Sequence, residues 1–140
     1  SNELTTVEGS FDYVKNSKRE LFIGSNSLKQ RIIEGLNHVK LNNYIKEDRI
    51  FSFDMVKRPK PFPDIYLEVI DKFNLDKDQT VIIEDSVVGV QAGKAAGIKV
   101  IGLTAGGHWH AGRTEHELIQ SGALKVINNY NSLDKIIDFL

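Results

Sequence analysis

The segment Val81–Gly97, VIIEDSVVGVQAGKAAG, constrains the fold of this chain more than any other. Val81, Ile82 and Ile83 are apolar and β-branched, as in a buried parallel strand, and they run straight into two acids, Glu84 and Asp85. Ser86 is a good N-cap for a following helix, because its hydroxyl can accept from an orphan first-turn amide. Gly89, Ala92 or Gly93, and Ala96 then line one face of that helix with small residues, which lets it press closely on a sheet. Gly97 ends it. Two hard-oxygen side chains at a strand end suit Mg²⁺, which keeps several waters and needs only one or two carboxylates. Taken alone, such a pair more commonly just complements the helix dipole.

The same alternation continues along the chain. A short helix is expected around Phe11–Lys15, a strand at Leu21–Gly24, and a helix carrying Leu28, Ile32, Ile33, Leu36 and Val39. A weak strand at Arg49–Phe53 leads into the loop Asp54–Phe62, and Pro63 opens a helix to about Phe73. Strands at Thr80–Glu84, Ile98–Leu103 and Leu124–Asn128 alternate with helices at Ser86–Ala96, near Thr114–Ser121 and at Ser132–Leu140. This order predicts one α/β domain over residues 1–140, a Rossmann-like parallel sheet with helices on both faces and ligands beyond the carboxyl ends of the strands.

Composition narrows the function classes. A net charge of -1 gives no basic field for nucleic acid or anionic membrane, and apolar runs are too short to span a bilayer. No interleaved basic and aromatic stripe is present. The absence of cysteine excludes disulfides, thiolate metal sites and a cysteine nucleophile. The polar N-terminus shows no signal peptide, so a cytoplasmic protein is expected. The histidines of Gly107-His108-Trp109-His110, with His116, invite a zinc reading, but the segment reads better as a loop shaping a site entrance.

Two further elements bear on the acidic pair. Lys60 lies in Arg58-Pro59-Lys60-Pro61-Phe62-Pro63-Asp64, where three prolines stiffen the approach to a helix. A lysine on so rigid a loop can be a fixed positive charge for phosphate oxygens, although a solvated lysine at a helix start is the ordinary alternative. Ser25-Asn26-Ser27 follows the LFIG strand, where a hydroxyl and backbone amides can bind phosphate or simply cap the next helix.

The order of these pieces is more specific than any one of them. A strand ending in Ser, then Lys-Pro-x-Pro-Asp before a helix, then strand-Glu-Asp-Ser and small residues at helical spacing resembles the haloacid dehalogenase superfamily. The likeness is to its phosphoglycolate phosphatase-like and β-phosphoglucomutase-like subgroup, over about Val7 to Leu140. It implies that Ser25 and Asn26 bind phosphate, that Lys60 steadies a phosphoaspartyl intermediate, and that Asp85, with Glu84 directly or through water, holds Mg²⁺. The implied substrate is a small phosphorylated metabolite.

One departure matters. The family's nucleophile is an aspartate in Asp-x-Asp at the end of a strand. Here the only such spacing, Asp76-Lys77-Asp78, follows a helix in a polar turn, and Asp54 has Val56 where the second acid should stand. The segment lacking is the first, central strand, with the cap that follows it. Its removal should leave a gap between the Ser25 strand and the Glu84 strand. The 140 residues are therefore expected to be the C-terminal part of a longer enzyme, partnered by its N-terminal segment and inactive alone. The competing expectation is a binding or regulatory module that kept a phosphate and metal pocket but lost the nucleophile. A receiver-like signalling domain is more remote, since it would need its acids near the first strand.

Overall fold

The computed structural model describes residues 10–104 and 111–140, with side chains described for 12–104 and 115–140. Helices are α1 (Ser10–Asn16), α2 (Lys29–His38), α3 (Asp64–Phe73), α4 (Val87–Ala95), α5 (Ala111–Ser121) and α6 (Leu133–Asp138). Strands are β1 (Ile23–Ser25), β2 (Ile50–Ser52), β3 (Val81–Glu84), β4 (Lys99–Leu103) and β5 (Lys125–Ile127). The elements match the expected order, with ends displaced by a few residues. His108, Trp109, His110 and the Ala105-Gly106-Gly107 turn lie outside the described residues. His116 is exposed on α5.

Four of the helices stop in the same way. Leu41 donates to Leu36, Leu75 to Ile70, Ile98 to Gly93 and Ala123 to Leu118, the six-to-one bond of a Schellman turn. Each turn needs a left-handed residue, supplied by Lys40, Asn74, Gly97 and Gly122. At Gly97, φ is +78°, so the glycine predicted to stop α4 does so for a conformational reason. Ser86 caps the other end of α4, its hydroxyl accepting from the Gly89 amide at 3.1 Å.

All the strands are parallel, but they do not form one sheet. Among the described residues β1 pairs only with β2, in register Ile23↔Ile50 to Ser25↔Ser52. β3, β4 and β5 form a separate three-stranded sheet, with Glu84 opposite Gly102 and Leu103 opposite Ile127. Among the described residues, β1 and β3 each therefore keep one edge without a strand partner. A cavity of about 480 Å³ is lined by residues of both strands, including Ile23, Gly24, Ser25, Val81, Ile82 and Ile83. The gap expected from the departing motif is present.

Two apolar clusters lie on opposite faces of β2, because successive strand residues point to opposite sides. Ile50 joins Val14, Ile32, Leu36, Leu41 and Ile45. Phe51 joins the larger cluster with Ile65, Val69, Ile82, Val90, Val100 and Leu118. That second cluster draws on both sheets, with α3 packed on β1, β2 and α4. The small face of α4 is as close as expected: a Cβ built on Gly93 would sit 2.5 Å from Val100 Cγ2.

Candidate active site at the strand ends

β1 and β3 bring Ser25 and Glu84 to the same end of the molecule, and the loop after β2 lays Lys60 between them. The Lys60 ammonium donates to the Gly24 carbonyl at 2.9 Å and to Glu84 Oε2. Its side chain is only 8% exposed and that of Glu84 7%, so this is a buried ion pair and not a solvated lysine. A buried carboxylate needs donors, and a second one comes from the Tyr66 hydroxyl, which also donates to Glu84 Oε2. The ammonium further lies 5.1 Å from the Tyr66 ring centroid.

The proline-rich loop is held from both sides. Lys60 N–H donates to Asn26 Oδ1 at 3.1 Å, and Asn26 Nδ2 donates back to the Lys60 carbonyl at 3.4 Å. Arg58 donates to Asp64 at 2.8 Å and stacks 4.4 Å from the Phe62 ring centroid. The guanidinium holds the Asp64 carboxyl below its usual range, so Asp64 stays ionised in the first turn of α3, where the helix dipole favours it.

Capping of α2 by Ser25, Asn26 or Ser27 is not what the structure shows. Leu28 is the N-cap residue and makes no side-chain cap bond. Ser25 Oγ instead accepts from the Ser27 amide at 3.1 Å, and the Asn26 side chain serves the Lys60 loop. Asp76 is the N-cap of the 3-10 turn Lys77–Gln79, accepting from the Asp78 amide at 2.9 Å, and the turn precedes β3 instead of following a strand. Asp54 is likewise in a turn, accepting from the buried Ser52 hydroxyl at 2.5 Å.

Glu84 and Asp85 remain together at the end of β3, with Asp85 half-buried. Among the described residues no group of three His, Cys, Asp or Glu side chains could hold a metal ion. Two hard oxygen donors fit Mg²⁺, provided water and another carboxylate complete the shell. Sequence reasoning did not single out Tyr66 and so missed its polar role. It also missed why Gly89 has no side chain: a Cβ there would lie 2.1 Å from the Glu84 carboxyl carbon. The one available signal was position, since Tyr66 stands in the first turn of the helix that the Lys60 loop enters. Among the described residues no helix is long and apolar enough to cross a membrane.

Known proteins share this sequence pattern and fold. Over 135 residues the chain is 29% identical to a phosphorylated carbohydrates phosphatase of Thermotoga maritima, covering 96% of this chain and 59% of the relative. A haloacid dehalogenase-like protein from Agrobacterium tumefaciens superposes with a TM-score of 0.88 at 31% identity, over 95% of this chain and 60% of that one. A hydrolase of the same family from Deinococcus radiodurans, solved with bound phosphate and sodium, gives 0.81 at 28%, over 96% and 61%. The chain thus spans about three-fifths of the length of these relatives. The family model described as haloacid dehalogenase-like hydrolase matches residues 2–103, and the chain belongs to that family.

Proposed function

We propose that the intact protein is a Mg²⁺-dependent phosphoryl-transfer enzyme, a phosphatase or phosphomutase acting on a small phosphorylated metabolite through an aspartyl-phosphate. The observation that carries this reading is the Lys60 ammonium, fixed between the Gly24 carbonyl and Glu84 at the mouth of the gap between β1 and β3. The nucleophilic aspartate is supplied by a strand seated in that gap, parallel to both neighbours, its acid end emerging beside Lys60 and Ser25. Such a strand would give β1 and β3 their backbone partners, and its apolar side chains would meet Ile23, Ile82 and Ile83 of the cavity lining. The 140-residue chain by itself has no nucleophile and is inactive in this reading.

The roles divide by position. Lys60 neutralises charge on the transferring phosphoryl group, where a preorganised cation in a partly dry site is most effective. Ser25 donates its hydroxyl to a phosphate oxygen, with the Asn26 amide beside it. Asp85 is the direct Mg²⁺ ligand, and Glu84, whose Oε2 is engaged by Lys60 and Tyr66, contributes by its other oxygen or through water. Bound Mg²⁺ supplies charge neutralisation and orientation of the phosphoryl oxygens. The names of two relatives, the phosphorylated carbohydrates phosphatase and an Escherichia coli fructose-1-phosphate phosphatase, support the substrate class.

Asp85→Ala in the full-length enzyme should weaken Mg²⁺ binding by at least about tenfold, with activity partly restored at high Mg²⁺. Titration calorimetry checks the affinity. An unchanged Mg²⁺ dissociation constant would remove Asp85 from the metal site.

A further inference from the structure

We propose that Tyr66 is a positioning residue of this site: its hydroxyl pins Glu84, and through Glu84 it aims the Lys60 ammonium. The inference rests on the phosphoryl-transfer reading above for its consequence, but its geometry stands independently. Tyr66 is 8% exposed and touches each fixed member of the cluster. Its hydroxyl donates to Glu84 Oε2, its ring lies beneath the Lys60 ammonium, and its Cε1 would be 3.3 Å from a Cβ on Gly24, whose carbonyl Lys60 also engages.

The hydroxyl matters because a glutamate carboxylate turns easily about its last torsion, which has broad, two-fold wells. With Lys60 as its sole partner, Oε2 could follow the ammonium anywhere along the flexible lysine stem. Two donors converging on one oxygen from different elements, the loop and α3, define its place. Gly89 leaves room for the same carboxylate, since any Cβ there would occupy its volume. Lys60 then spends one N–H on Gly24 and one on Glu84, which directs the third toward a ligand oxygen. Ring packing alone would be served equally by phenylalanine, so the hydroxyl is the part of Tyr66 that the site uses.

Tyr66→Phe isolates that hydroxyl. In the full-length enzyme it should lower kcat about tenfold, with KM for a small phosphomonoester within about twofold, the pattern of an interaction realised in the transition state. The melting temperature should move by no more than about 2–4 °C, as for loss of one hydrogen bond. Acetic anhydride labelling read by peptide mass should show Lys60 modified several-fold faster than in the wild type, with Lys72 and Lys99 unchanged. Unchanged kcat together with unchanged Lys60 labelling would overturn the proposal. So would faster labelling of all the lysines, which would mark a general loosening of the fold. If the wild-type enzyme hydrolyses no phosphomonoester, the phosphoryl-transfer reading fails, and the selective labelling of Lys60 alone decides whether Tyr66 positions it.

Discussion

One buried and one exposed polar tie, each joining the part of the molecule that carries β1 to the part that carries β3, differ in almost every physical respect. At the strand ends, Lys60, Glu84 and Tyr66 form a buried cluster with all three side chains largely removed from water. Elsewhere, Arg19, just before β1, reaches Asp134 and Asp138 on α6, each at 2.9 Å, while Tyr13 donates to Asp134 at 2.8 Å. Here the side chains are open, with Arg19 39%, Asp134 57% and Asp138 70% exposed. The exposed tie is cheap to form and contributes little. The buried one takes two charges out of water, and its mutual attraction roughly offsets that cost only because Gly24 and Tyr66 satisfy further valences. A fold that merely needed closing would be as well served by apolar side chains. Retaining a buried charge pair there accords with a site whose purpose is to present a cation.

The comparison breaks most sharply at Glu84. Glu84→Ala leaves the Lys60 ammonium buried without its counter-ion and should cost about 3–5 kcal/mol of unfolding free energy in urea denaturation. A loss below about 1 kcal/mol would show that water already reaches the pair and that it is no more than a surface bridge.

That effect was only partly legible from the residues. VIIEDS and its small-faced helix define β3, the turn and α4 through local periodicity, and the missing Asp-x-Asp foretells the gap, because a parallel sheet without its middle strand has no means of closing. The partners of the acids were not legible. Tyr66 is 18 positions from Glu84, and Asn26 is 34 from the Lys60 amide it holds. Spacing assigns a residue to a face of its own element, but it does not say which other element that face meets. Asn26 illustrates the cost: local rules favour capping, and a tertiary partner won.

The exposed tie gives the smaller effect. Arg19→Ala should lower stability by about 0.2–1 kcal/mol at neutral pH, less at high salt. The Asp134 carboxyl is held below its usual range first by Arg19 and then by the Tyr13 hydroxyl. A carboxyl depressed in the folded state contributes stability above its unfolded value, near 3.8, and loses it as pH falls through the folded one. The difference between Arg19→Ala and wild type should therefore shrink below about pH 4. Burial, then Asp134, pushes the Tyr13 hydroxyl up to about 12, so its contribution is complete below pH 10 and fades between 10 and 12. Denaturation curves across pH check both limits; a wild-type advantage that persists undiminished at pH 2 would mean Arg19 acts through packing instead.

In the proposed reading, this chain holds three sides of a phosphate site whose fourth side is an aspartate-bearing strand in the gap between β1 and β3. Phosphatase assays on the 140-residue chain, its identity secured by intact mass, test it most directly. The chain alone should show no Mg²⁺-dependent hydrolysis of small phosphomonoesters. Activity should appear when it is refolded with a separate segment carrying an apolar strand that ends in Asp-x-Asp, and vanish when the first Asp of that segment is replaced by Asn. Robust Mg²⁺-dependent hydrolysis by the chain alone would contradict it.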